Sequence, residues 1–163
     1  MIVYHPVYDT YHCLTRTLKI LRCLGEKSHE KDRIKIYDYY FLFPCETGNI
    51  TLPGQFSTYK KICQANRYNK VYDIRNTFSQ LESVQETAYR ALAAFGFIDN
   101  DLLFDDILKL TDNSIPDNLL FDLTDTENAY MELVVAFFEN ISILELKKRT
   151  KLMEYRYEFF ETK

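Results

Sequence analysis

The chain has 163 residues, of which 47% are hydrophobic and 15% aromatic, enough for one domain with a filled core and too apolar for a disordered segment. With only 4 Gly and 4 Pro, long regular elements are favoured over a many-stranded sandwich, and no stretch approaches the ~20 apolar residues of a membrane-spanning helix. The net charge of -4 and pI near 5.4 lie far from the basic balance of a self-sufficient DNA binder.

Charge and ring type are both unevenly used. Residues 11–75 carry twelve Lys/Arg against six Asp/Glu, whereas residues 99–127 carry nine Asp/Glu against Lys109 alone. Such polarity suits two solvated faces or two partners of different sign. There is no Trp beside 13 Tyr and 12 Phe, so aromatic volume comes from rings that also sit well at the rim of a core or an interface.

In chain order, Met1 to Val3 read as a short strand or extended arm closed by Pro6. Asp9 is placed to cap a first helix whose apolar residues are Leu14, Leu18 and Leu21, ending before Gly25. Ile34 to Phe43 holds eight apolar or aromatic residues in ten positions, so a second helix there is buried on nearly all sides, and Pro44 stops it. Cys45 to Gly54 reads as a turn or short hairpin loop. Phe56, Tyr59, Ile62 and Cys63 predict a helix over 55–70, with Lys60, Lys61, Arg67 and Lys70 around them.

Thr77 and Gln80 form a capping-box pattern ahead of Leu81, Val84, Ala88, Leu92 and Phe95, the clearest amphipathic repeat in the chain. Gly96 ends that helix, and Phe97-Ile98 start a short strand or tuck inward, an order also met in winged-helix domains. Leu103, Ile107 and Leu110 predict a short helix, followed by a loop through Asn113, Ser114 and Pro116. A second capping box at Thr124 and Glu127 opens a helix with the stripe Tyr130, Leu133, Val134, Phe137, Phe138 and Ile141. A basic helix from Ile143 to Leu152 continues it, and alternating Tyr155, Tyr157 and Phe159 predict a terminal strand. The expected fold is a compact, mainly α domain with a few short strands (α+β), spanning 1–163 without an internal linker.

The residues offer little support for catalysis. His5, His12 and Cys13 lack paired metal-ligand spacing, since adjacent His12 and Cys13 point about 100° apart on a helix. Cys13, Cys23, Cys45 and Cys63, spaced by 10, 22 and 18, match no CxxC pattern and are expected as reduced, mostly buried thiols. A calcium loop opening at Asp99 needs Gly and Glu where Phe104 and Leu110 stand, so Asp99, Asp101, Asp105 and Asp106 are expected as helix caps and solvated charges. No GxxxxGK[ST] or GxGxxG is present, so no phosphate cradle and no cofactor are expected. The best candidate for touching DNA backbone is the cluster Lys147, Lys148, Arg149 and Lys151, with Lys60, Lys61, Arg67 and Lys70 as a second group.

Tyr4-His5-Pro6, Asp9, Tyr11-His12-Cys13 with Arg16, and Asp32-Arg33 through Leu42-Phe43-Pro44 together resemble the opening of the small middle components of ABC-three-component systems, including Lamassu-type anti-phage defence systems. The resemblance is strongest over 2–44, weakens over 45–76, resumes loosely at Ala91 to Ile98 and is general in the closing basic helix and Glu154-Tyr155-Arg156-Tyr157. It implies a non-enzymatic, winged-helix-like subunit, similar in role to the winged-helix subunits of bacterial condensins; a cytoplasmic location is expected separately, from the lack of a basic n-region with an apolar h-region at the start and of any membrane-length apolar stretch. Such a subunit sits on an SMC-like ATPase beside a nuclease effector, and DNA is met within the complex. The resemblance transfers no binding residue to this chain. Gly96-Phe97-Ile98 and the basic helix at 143–151 carry the alternative, a free-standing winged-helix DNA-binding transcriptional regulator.

Overall fold

The structure is a computed structural model that describes residues 6–61, 71, 73–120 and 122–153. The expected arm at 1–3, His5, the second half of the 55–70 helix and the terminal strand at 155–159 lie outside the described residues.

Among the described residues there are six α-helices, four of which pack on one aromatic-rich element. Helix α1 (Thr10–Leu24) starts at Asp9, whose side chain accepts the His12 N–H. It ends at Gly25, whose φ of 85° places it in the left-handed region that favours glycine. Helix α2 (Lys31–Leu42) is covered by α1, α3, α5 and α6, so every residue from Arg33 to Phe41 is buried. Each large side chain enclosed this way contributes about 1.5–3 kcal/mol, and Tyr37, Tyr39, Ile34 and Ile36 are wholly enclosed. Phe43 donates its N–H to Tyr39 O at 2.9 Å, and Pro44 then begins a 3-10 turn, the first of the two forms expected for this stretch. Buried Glu46 holds that turn by accepting from Asn49 Nδ2 and the Val71 N–H.

A second 3-10 turn (Gly54–Lys61) occupies the start of the helix expected over 55–70, and Phe56 packs on Phe137 with ring centroids 4.9 Å apart. Helix α3 (Ile74–Ala94) begins a turn earlier than the Thr77–Gln80 pattern predicts. Asp73 is the actual cap, accepting the Asn76 N–H at 3.1 Å, which leaves Thr77 inside the first turn. Gly96 closes the helix with φ 80°, as expected.

Helix α4 (Asn100–Phe104) is shorter than the Leu103, Ile107 and Leu110 spacing suggests. Asp105 and Asp106 turn the chain, Asp106 at a left-handed φ of 63°, and Ile107–Leu108 form strand β2. It pairs antiparallel with β1 (His29–Glu30) in the register His29 to Leu108 and Glu30 to Ile107. Asp106 O accepts from Lys31 N, whereas Lys109 O accepts from Asp99 N and Thr111 N donates to Phe97 O. Alternate backbone groups therefore face opposite ways, and the 106–111 segment runs between β1 and the 97–99 segment, where Ile98 bridges Leu110.

Helix α5 (Asp125–Ala136) opens with the complete Thr124–Glu127 capping box. It stops at Phe137 rather than running to Ile141. A 3-10 turn (Phe138–Asn140) and the Ser142 cap separate it from α6 (Ile143–Thr150). The thiol expectation is corrected at one position: Cys45 is disulfide-bonded. Cys13 is free and buried, and Cys23 is free and exposed.

Candidate interaction surfaces

Burying α2 from Arg33 to Phe41 encloses Arg33, Lys35 and Asp38, and each one meets a partner. Asp38, fully buried, accepts from Arg16 Nε at 2.8 Å and Gln85 Nε2 at 2.9 Å, joining α1, α2 and α3 at one point. Arg33 donates to Phe138 O at 2.7 Å and Ile141 O at 2.9 Å, satisfying carbonyls exposed where α5 breaks. Tyr130 donates its hydroxyl to Tyr37 O at 2.9 Å.

A ladder of ion pairs continues between α2 and α3. Lys35 Nζ lies 3.1 Å from Glu82 and 2.8 Å from Glu86. Lys31 Nζ lies 3.0 Å from Glu86 and 2.8 Å from Asp106. Burial works against a charge on Glu86, yet hydrogen bonds from Lys35 and Lys31 hold its carboxyl below the usual range.

The groups considered for chemistry are placed as follows. His12 pairs with Asp9 on the surface, while Cys13 points into the core beside Asp38 and Thr17. Burial and the nearby Asp38 charge push the Cys13 thiol far up, keeping it protonated. Among the described residues, no group of three or more His, Cys, Asp or Glu side chains could hold a metal ion. Asp99 caps α4, accepting the Leu102 N–H at 2.9 Å, in line with its expected cap role. No helix among the described residues is long and apolar enough to cross a membrane.

The four cations of α6 do not share one surface role. Lys147 is buried along its stem and pairs with Asp32 at 3.0 Å. Arg149 lies 2.7 Å from Glu145, donates to Thr51 O at 2.7 Å and covers the Phe137 ring at 5.3 Å. Lys148 and Lys151 are exposed, Lys151 holding the left-handed position that ends the helix. In the second basic group Lys60 is exposed, while Arg67 and Lys70 lie outside the described residues. A cleft of about 420 Å³ beside Lys147 is lined by Asp32, Arg75, Glu82, Phe78 and Met153, so it presents both signs of charge.

Sequence reasoning passed over two features. Asp38 reads in the sequence only as a break in an apolar run, and its role depends on residues 22 and 47 positions away. Phe104 figures in the sequence only as the residue standing where a calcium loop needs Gly, yet it is 91% exposed at the end of α4.

The fold thus turns most of its central charge inward and leaves outside two lysines on α6 and an aromatic tip on α4. The model of the ABC-three component (ABC-3C) system Middle Component 5 family matches residues 2–158, and the chain belongs to that family. No curated protein and no solved structure matches the chain. As a middle component it is an accessory subunit that partners other subunits of an ABC-3C system.

Proposed function

We propose that this subunit is a non-enzymatic adaptor of an anti-phage or anti-plasmid defence complex. It occupies the whole chain as one domain, docks on an SMC-like ATPase in the manner of Lamassu-type systems, and couples DNA sensing to release of a nuclease effector. The family match over residues 2–158 carries the reading. The enclosure of Asp38, Lys35 and Arg33 in internal pairs supports it, because the charges most removed from water are already engaged in holding helices together.

Co-expression with the other components, followed by size-exclusion chromatography, tests this proposal. Co-elution with an ATPase carrying a long coiled coil between its nucleotide-binding motifs is the expected result. Elution of the chain alone in the presence of that ATPase would overturn it, as would substrate turnover by the purified chain that one substitution abolishes.

A second reading, a winged-helix element that binds DNA by itself as a regulator, is favoured by one observation. The order α1, β1, α2, α3, the 97–99 segment, α4 and β2, with the 106–111 segment lying between β1 and the 97–99 segment, is compatible with three helices packed beside a small sheet. Exposed Lys148 and Lys151 are the phosphate contacts this reading requires. A gel shift with the isolated chain across salt concentrations decides it: tight binding with a steep salt slope supports autonomous recognition.

A further inference from the structure

The most exposed large apolar side chain in the described residues is Phe104, at 91%. It does not sit on a loose loop. Asp99 caps the short helix that carries it, and Asp105 N and Asp106 N donate to Leu102 O and Leu103 O, both at 3.0 Å. Lys31 then fastens the turn twice: its N–H donates to Asp106 O at 2.8 Å, and its Nζ lies 2.8 Å from Asp106 Oδ1. The backbone that presents the ring is thus held by local bonds, so little backbone freedom remains to be lost on binding.

The surroundings select the partner. Asp99, Asp101, Asp105 and Asp106 lie within two residues of one end or the other of α4, and three of them are exposed. Lys31 pairs with Asp106 and is shared with Glu86, and Arg90 lies on the α3 side of the tip, which leaves Asp101 and Asp105 as the exposed charges beside Phe104. An open cavity of about 370 Å³ adjoins the tip, lined by Lys31, Glu86, Arg90, Leu103 and Phe104. Anionic lipid and nucleic acid are repelled by such a collar, whereas a protein socket with an apolar floor and a Lys/Arg rim is attracted.

We propose that the α4 tip is a docking knob, with Phe104 entering a basic-rimmed apolar socket on another subunit of the same ABC-3C system. The inference rests on the accessory-subunit reading and assigns that reading a surface. Phe104 is the central anchor, and the aspartates set orientation and association rate.

The test is an affinity measurement between the purified full chain and the co-expressed components of its system at low and high salt. Phe104→Ala is expected to weaken binding by about 30-fold or more with an unchanged thermal midpoint. Asp101→Lys with Asp105→Lys is expected to weaken binding and to remove most of its salt dependence. Val135→Ala, at an exposed apolar position on α5, serves as the control and is expected to bind at parental affinity. Parental affinity in Phe104→Ala would overturn the docking knob while leaving the accessory role intact. Failure of the parental chain to bind any component would remove both. A self-association lost only in Phe104→Ala would assign the knob to a second copy and overturn the proposal.

Discussion

Arg16 and Asp38 face each other across the α1–α2 contact, Nε to Oδ1 at 2.8 Å, with the carboxylate wholly enclosed. Burial alone favours a neutral guanidine, yet Asp38 raises the Arg16 pKa above its ordinary value. Gln85 completes the arrangement from α3. Asp38→Ala strands a buried cation and is expected to cost about 3–5 kcal/mol, read from urea unfolding. Asp38→Leu combined with Arg16→Met removes both charges and is expected to recover most of that loss.

His29 predicts a pH dependence. Burial holds its imidazole below the ordinary value of 6.5, with Glu139 and Glu30 opposing that shift and Arg33 and Lys27 reinforcing it. The folded pKa is the lower one, so the unfolded chain takes up the proton first. Stability is therefore full above 6.5 and falls as pH drops toward the folded value. Urea midpoints between about pH 8 and pH 5 check this, and His29→Gln is expected to flatten that limb. A further loss follows in more acidic solution as Glu86, held low by Lys35 and Lys31, takes up its proton.

Gly96 ends α3 at φ 80°, and an added Cβ there would lie 2.9 Å from Asn113 Nδ2. Its carbonyl also accepts from Thr111 Oγ1 at 2.5 Å and Asn113 Nδ2 at 2.7 Å, tying the end of α3 to the end of the 106–111 segment and the loop after it. Gly96→Ala is expected to cost about 1–3 kcal/mol in a thermal melt. Asn113→Ala in the same chain relieves the contact but not the backbone strain, so only part of the loss returns.

The α6 lysines should separate by role. Lys147→Ala loses packing along its stem and a pair with half-exposed Asp32, for about 1 kcal/mol. Lys148→Ala is expected to stay within about 0.5 kcal/mol of the parent. If the assembled complex contacts DNA through this helix, Lys148→Glu with Lys151→Glu reduces the slope of log affinity against log salt by about 2, with the fold unchanged.

Local signals in the sequence were sufficient where the controlling chemistry is itself local. Asp9, Gly25, Gly96 and the Thr124–Glu127 box mark helix ends because each acts within four residues. Ile34 to Phe43 announces its burial because almost nothing in it tolerates water. The misses arise where a distant partner decides. Leu103, Ile107 and Leu110 fit helical spacing, but Ile107 pairs with Glu30, which the local pattern cannot reveal. Thr77 lost its capping position to Asp73 one turn upstream. The α6 cluster reads as four equivalent cations, whereas Asp32, Glu145 and Thr51 O distinguish Lys147 and Arg149 from Lys148 and Lys151.

Arg33 reaches the carbonyl of Phe138 across 105 positions of chain. During translation at about 5–20 residues per second, α2 therefore emerges roughly 5–20 s before the segment that seals it. Throughout that interval a nascent stretch rich in tyrosine and phenylalanine lacks the cover of α5 and α6, although α1 and then α3 can already pack on its other sides. Slower elongation therefore lengthens the time for which that face of α2 is open to wrong partners.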